Sequence, residues 1–458
     1  MNALTLEGPQ PSQDSHDPRP RLAVVGSGIS GLATAWLLRT RYRVTLLERN
    51  DYPGGHTHTV AVDDPHGPLA VDTGFIVFNR RNYPHLSALF DHLGVASQPS
   101  DMSFSASVDD GRIEYAGSGL ITLFAQARHL VSPRFYGMLA DILRFNRQAK
   151  GLLAAGWNDP VSVGAFLERA GFGRAFRDHY LLPMAAAIWS CPCATMLDFP
   201  AHSLLRFFHN HGLLDLSGRP PWRTVTGGSG QYVHRLLQDL GTARCNTPVR
   251  AVVRRPGGVE VITDDGNPRR FDQVVLATHA DEARALLGDA DARERGLLGA
   301  FRYQPNRAVL HTDTRLMPRR RRVWSAWNYL ARTGEGGQRV SVTYWMNCLQ
   351  RLAVPTPYLV SLNPLTEPRR DRVLKEMAYT HPVFDAAAVT AQARLHEIQG
   401  RGGVWFAGSY FGYGFHEDGM RSAVQVARAL GGSLPWEAAA DAPPRTAPAG
   451  LAWEGLHP

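Results

Sequence analysis

The segment RLAVVGSGISGLATAWLLRTRYRVTLLE, residues 21–48, leaves few folds open to this chain. RLAVVG is an aliphatic run of buried-strand length. Gly26-x-Gly28-x-x-Gly31 follows, then the helical LATAWLL, then a second strand, RVTLLE, ending on Glu48 twenty residues after Gly28. A strand, a tight glycine turn and a helix in this order, with the acid at this distance, predict a dinucleotide site. Gly26 permits the turn, Gly28 lets a pyrophosphate approach the backbone, and Gly31 lets the helix pack on the strand. The helix start, Ser30 included, stabilises the phosphate charge, and Glu48 accepts from the ribose hydroxyls.

A second turn of the same plan lies near the other end: VWFAGSYFGYGFHEDGMRSAVQVARAL, residues 404–430. Between them, ERNDYPGGHTHTV carries a glycine pair, Gly54-Gly55, shortly after Glu48, and VDTGF supplies another turn at 71–75. Together these segments resemble the flavin amine oxidase superfamily, which also holds phytoene desaturases and protoporphyrinogen oxidases. The resemblance implies an α/β fold: a Rossmann-like FAD-binding domain of three β/β/α layers with a discontinuous α+β substrate domain, amine-oxidase-like. It places 21–80, 224–290 and 395–435 in the FAD-binding domain, and 81–223 and 291–394 in the substrate domain. It implies that Arg49, Gly54, Gly55, His56, Thr57, Thr73 and Gly74 wrap the FAD phosphates and lead to the flavin. His56 stands where arginine is usual, so that contact lacks a permanent charge. The backbone at Val249 would meet adenine. FAD is long and extended, which explains two glycine turns: the second, through Gly408, Ser409, Asp418, Gly419 and Met420, would hold the ribityl chain and flavin. No attachment cysteine stands in that loop, so the FAD is expected to be non-covalent.

A narrower resemblance rests on DTGFIVFNRRNYPHL, SDMSFSASVDDGRIEYAGSGL and TLFAQARHLVSPRFYGMLADILRF. These look like the N-terminal flavoprotein half of plant cyclopropane fatty acid synthases and its free-standing bacterial relatives. The match covers roughly residues 21–435. It implies an FAD-dependent oxidoreductase that moves hydride from a substrate C–H to flavin N5, acting on an apolar substrate such as a lipid acyl chain, with a lipid methyltransferase as a partner. Two rival readings stay open: a flavin amine oxidase, and a non-catalytic flavoprotein subunit of such a methyltransferase. Against simple amine oxidation, the lysine common near flavin N5 in amine oxidases has no counterpart. Lys150 lies in a helical stretch, and Lys375, in RDRVLKEMAYT, reads as a surface helix position. The candidate catalytic groups are His416 and Glu417 beside the second turn, with His416 moving a proton near neutral pH.

Composition closes other classes. With 44 % hydrophobic and 20 % charged residues the chain is an ordinary globular protein, and no apolar run approaches the ~20 residues that span a bilayer. No signal peptide is read at the start. Residues 1–20 and 436–458 read as disordered tails. Four cysteines (191, 193, 245, 348) are too few for a disulfide framework, which points to a reducing cytoplasm and to structural thiols. His56 and His58 share a strand face, but no further ligand cluster accompanies them, and no metal is expected. The net charge of +8 comes almost wholly from arginine, with PRRRR (318–322) the dense cluster. No nucleic-acid motif accompanies it. The sharper expectation is peripheral contact with an anionic membrane at its inner face. Phe75, Phe78, Trp189, Tyr344, Trp345 and Phe415 are the candidate lining of an apolar pocket.

Overall fold

The computed structural model describes residues 17–437 apart from 216, 242, 335 and 336. A four-stranded parallel sheet carries the first glycine turn. Its strands run in the order Val404–Phe406, Gln273–Leu276, Arg21–Val25, Arg43–Leu47. Parallel neighbours need crossovers, and the crossovers cover both faces. Alternation along the strands divides those faces. Leu22, Val24, Leu46 and Val275 join the core of the helices Ile29–Leu38 and His416–Ala429. Ala23, Val25, Leu47, Val274 and Leu276 join the other core, with Val252, Val259, Val261 and Phe271 of an antiparallel sheet formed by Val249–Arg255, Gly258–Thr263 and Pro268–Phe271. The layers are therefore β/β/α, the amine-oxidase-like arrangement expected.

The second large sheet has seven strands, in the order Val373–Val383, Arg302–His311, Leu359–Leu362, Gly337–Trp345, Trp327–Gly334, Phe104–Val108, Ile113–Ala116. Trp327–Gly334 pairs in parallel with Phe104–Val108, so two distant stretches of chain are stitched into one sheet. The helices Pro133–Ala154, Leu182–Trp189 and Ala201–Asn210 contribute to the same core. Residues 81–223 are mainly helical, but the two strands at 104–116 belong to this sheet.

One element departs from the sequence reading. RDRVLKEMAYT is no surface helix: Val373–Val383 is an edge strand paired antiparallel with Arg302–His311. Lys, Glu, Met and Ala favour a helix, but Met377 and Tyr379 bury on one sheet face while Glu376 and Ala378 stay exposed. Tertiary pairing overrides local propensity here.

Most of the two expected tails lies outside the described residues. At their inner edges the chain is held. Arg43 donates to the Pro20 carbonyl at 2.9 Å, and Trp436 stacks on Trp36 with ring centroids 6.5 Å apart. Cys191 and Cys193 are free and buried, and burial pushes the Cys191 thiol up to about 12, which keeps it protonated and unreactive.

Candidate functional site

Sterics at the first turn divide its glycines by task. A Cβ on Gly31 would lie 1.9 Å from the Gly26 carbonyl oxygen, so that position is closed by helix-on-strand packing. At Gly28 the reverse holds: nothing stands within 4 Å of where a Cβ would be. Gly28 is also the N-cap of the Ile29–Leu38 helix, and no side chain caps it. An open place beside an uncapped helix start is a cradle for an anion. The second glycine turn closes against the first, because a Cβ on Gly419 would lie 2.8 Å from Ser30 Oγ and 2.9 Å from Ile29 Cγ2. Met420 is fully buried behind it.

A groove joins the two turns. Gly28, Gly55, His56, Gly74, Ser409 and His416 each keep partly accessible surface, whereas Ser27, Ile29, Thr57, Thr73, Phe75 and Gly408 beside them are buried. Direct contacts link these residues. Gly55 lies against Gly28, Gly74 lies against the His56 carbonyl, and the His416 ring stacks on Phe75 with centroids 3.7 Å apart. His56 Nε2 is buried without a hydrogen-bond partner, which a bound polar group would supply. The residues present therefore fit a long dinucleotide laid between the turns.

The remaining sequence-predicted contacts fall as follows. Glu48 accepts from Ser27 N and Oγ at 2.9 and 2.6 Å and from Asn50 N at 2.8 Å, leaving one of about four acceptor positions for a ribose hydroxyl. Thr247 donates its N–H to the Glu48 carbonyl at 2.8 Å, which brings the start of the Val249 strand alongside. Arg49 pairs with Glu282 at 2.7 Å and is mostly exposed. Gly54 donates to the Ser27 carbonyl at 3.0 Å, folding the glycine pair onto the first turn. Thr57 Oγ1 bonds Tyr232 OH and His416 Nε2, and Thr73 Oγ1 donates to the His58 carbonyl at 2.9 Å. Ser409 anchors its loop by accepting from Gly412 and Gly414, and Gly408 donates to Ser422 Oγ.

The structure corrects two expectations, for Glu417 and His416. Glu417 is not in the groove: its carboxylate accepts the backbone N–H groups of His85 and Leu86 at 3.0 Å each, at the start of the Pro84–Leu93 helix. The Asp418 side chain shapes the second turn, accepting from Tyr413 N and Phe415 N and pairing with Arg421 at 2.7 Å, while the contact expected of Asp418 is through the backbone at the helix start. His416 does face the groove, but it cannot titrate near neutral pH. Burial, with His56 close by, lowers it to about 3.

His416 belongs to a group the sequence did not single out. His56, His279 and His381 are lowered by burial to about 4, 4 and 3. The His56 ring lies 5.1 Å from Tyr379, 5.3 Å from His381 and 6.0 Å from His279. His381 Nδ1 meets Asn306 Nδ2 at 2.8 Å, and His279 stacks on Tyr303. All four imidazoles are neutral at physiological pH, so this wall is polarisable but uncharged. Among the described residues no group of three or more His, Cys, Asp or Glu is arranged to hold a metal ion. The one sequence signal was the period-two spacing of Tyr379 and His381, hidden by the helix reading of that segment.

Lys375 is exposed near the end of its strand, but it lies on the same strand face as Met377 and Tyr379 and reaches His58 Nε2 at 3.4 Å. The expected aromatic pocket divides. Trp189 and Phe415 meet around Phe207, beside the second turn. Phe78 packs in the core with Tyr83 and Phe90, and Trp345 packs on Trp324.

With this geometry in hand, residues 29–431 match the model of the flavin containing amine oxidoreductases. The chain belongs to that family, whose description implies a flavin cofactor. A 31 % identical relative, the carotenoid phi-ring synthase of Streptomyces griseus, aligns over 310 residues, 60 % of this chain and 56 % of that protein. The chain thus matches little more than half the length of this curated relative. Among solved structures, the CLA-producing fatty acid isomerase of P. acnes superimposes with a TM-score of 0.63 at 17 % identity, over 90 % of this chain and 99 % of that one. Cyclohexylamine oxidase from Brevibacterium oxydans does so with a TM-score of 0.64 at 17 % identity, over 90 % and 100 %. At such identities the likeness is one of fold.

Proposed function

We propose that this chain is an FAD-dependent oxidoreductase acting on the acyl chain of a lipid, and that it holds FAD non-covalently. The observation that carries the proposal is the groove joining two glycine turns through an uncharged wall. When bound, the flavin would supply an acceptor for a hydride, which carries both electrons of the oxidation. The chain's own residues bind, orient and exclude water. Gly28, Ser30 and the uncapped helix start would hold the phosphates. Gly408, Ser409, Gly419 and Met420 would hold the flavin end. His56, His279, His381 and His416 are kept neutral by burial, so they shape the site without drawing water to it. Trp189, Phe207 and Phe415 offer an apolar flank to a hydrocarbon chain.

The charge balance favours this over amine oxidation. An ammonium substrate needs an unpaired carboxylate or an aromatic cage. Of the buried acids near the turns, Asp72, Glu417 and Asp418 are spent on protein donors, and Glu48, which keeps one acceptor position, belongs to the first turn, away from the flavin end. The 31 % identical relative, a carotenoid phi-ring synthase, supports an apolar substrate for this chain too. A lipid methyltransferase as partner belongs to the same proposal.

The test is anaerobic mixing of the purified yellow protein with phospholipids, or with primary amines and polyamines, followed by visible flavin absorbance. Bleaching by unsaturated or methyl-branched phospholipid alone is expected. Bleaching by amines alone would restore the amine oxidase reading. Flavin that never bleaches in a protein that captures a lipid methyltransferase would favour the non-catalytic subunit. Release of the flavin into supernatant on acid denaturation checks the non-covalent attachment.

A further inference from the structure

The exposed large hydrophobic side chains are concentrated in one place. Leu120 is 75 % exposed, Ile121 80 %, Leu130 54 % and Val131 81 %. They lie on the short helix Leu120–Leu123 and the turn Ala127–Val131, just before the long helix Pro133–Ala154. Four large aliphatic groups within twelve residues, turned to solvent, form a patch that a free monomer has no folding reason to keep.

The neighbouring structure is mainly cationic, and Asp110, the exposed acid that Arg319 feels, is paired with Arg332 at 2.7 Å. No acid occurs from Gly117 to Gly137, while Arg128 and Arg134 there are exposed. The arginine cluster at 319–322 is fixed alongside. Ala116 and Ala125 of the apolar segment share a small buried cluster with Val323. Gln126 donates to the Gly111 carbonyl, and so does Arg320. The buried carboxylate of Glu114 takes Arg320 Nη1 at 2.7 Å and the Arg319 backbone N–H at 2.7 Å. That acid thus consumes one of the four charges and orients the strand of chain carrying the others. Arg321 lies over Trp324, and Arg319, Arg321 and Arg322 stay exposed beside the apolar patch.

We infer that this face docks onto an anionic phospholipid bilayer, with Leu120, Ile121, Leu130 and Val131 entering the headgroup–acyl boundary and the arginines meeting lipid phosphates. An apolar tip ringed by cations matches the two halves of that surface, and it matches a second copy of this cationic face poorly, since like charges would meet. Among the described residues no helix is long and apolar enough to cross a membrane, so the contact is peripheral. The inference rests on surface residues alone and stands whether or not the flavin reading does.

The full chain is tested by co-sedimentation with vesicles of phosphatidylcholine alone or mixed with phosphatidylglycerol. Binding is expected to the mixed vesicles, to fall with added salt, and to be far weaker on phosphatidylcholine. Leu120→Ser with Ile121→Ser should lower the partition roughly tenfold or more, because each side chain gives up hydrocarbon burial. Arg319→Gln with Arg321→Gln and Arg322→Gln should remove the salt sensitivity. These positions are exposed, so circular dichroism should not change. Ile121→Trp adds a direct readout: its fluorescence should shift to the blue on mixed vesicles. Equal binding of the Ser variant, or no blue shift, overturns the proposal. So does a dimer in lipid-free solution that Leu120→Ser dissociates, which would make the patch an interface between copies of the chain.

Discussion

Gly419, on the last helix, stands directly against Ser30, on the first: a Cβ there would lie 2.8 Å from Ser30 Oγ. This contact joins the two glycine turns, although 389 residues separate them in the chain. Gly419→Ala must displace the Ser30 and Ile29 side chains, since Ile29 Cγ2 blocks the same space at 2.9 Å. A loss of about 1–3 kcal/mol of stability is expected, the scale for overpacking a filled site. Flavin affinity should fall with it. Urea denaturation and flavin titration measure the two effects, and unchanged values for both would refute the shared wall.

Gly28 and Gly31 should behave oppositely. Gly28→Val meets open space and an extended backbone, φ −64° and ψ −179°, so the protein should fold with stability changed by less than about 1 kcal/mol. It should nevertheless be colourless, because the side chain fills the cradle. Gly31→Val drives into the Gly26 carbonyl and should fail to accumulate as folded protein. A yellow, folded Gly28→Val protein would mean that the open place holds no ligand.

This contrast also shows what the sequence made legible. The first turn could be read because its needs are local: each glycine is constrained by residues a few positions away and by one strand. The same held for the alternation in Arg21–Val25 that divides the two cores. Glu417 could not be read, because its partners, the His85 and Leu86 amides, come from more than 300 residues upstream and use backbone atoms that no side-chain pattern reports. Lys375 was misread because strand pairing with Arg302–His311 outweighs the helical leaning of its neighbours. The neutrality of His416 depends on enclosure by Phe75, Thr57 and Tyr232, which three distant segments supply.

Lys375 therefore gives a sharp test against an amine-oxidase-type lysine. Its ammonium is exposed and touches only the edge of the site, through His58. Lys375→Met should leave the rate of flavin reduction by the best substrate within about twofold, because no transition-state contact is removed. A drop of a hundredfold or more, with KM unchanged, would place this lysine in the chemistry.

Acid should destabilise the fold. His56, His279, His381 and His416 hold values of about 4, 4, 3 and 3 in the folded chain, against 6.5 when unfolded. Between those limits the unfolded chain binds more protons, so stability falls as pH drops below 6.5. For one such imidazole the loss by pH 5 is about 2 kcal/mol. Three buried carboxyls oppose it, Asp418 among them, also raised by burial. Burial raises Glu417 to about 7 from 4.5 and Asp72 to about 6 from 3.8, so over those windows the folded chain binds the extra proton and acidification favours it. His211 and His311 are lowered by burial to about 4 as well, so the histidines outweigh the three acids, and a net loss of stability is expected from pH 6.5 downward, well above the usual carboxylate range. The variants separate the contributions. His416→Asn should make the acid loss shallower by about one proton, and Glu417→Gln should make it steeper by removing an offsetting group. Urea midpoints across pH 4.5 to 7.5 measure both slopes. A wild-type profile flat to about pH 4.5 would show that these imidazoles are not held neutral by burial.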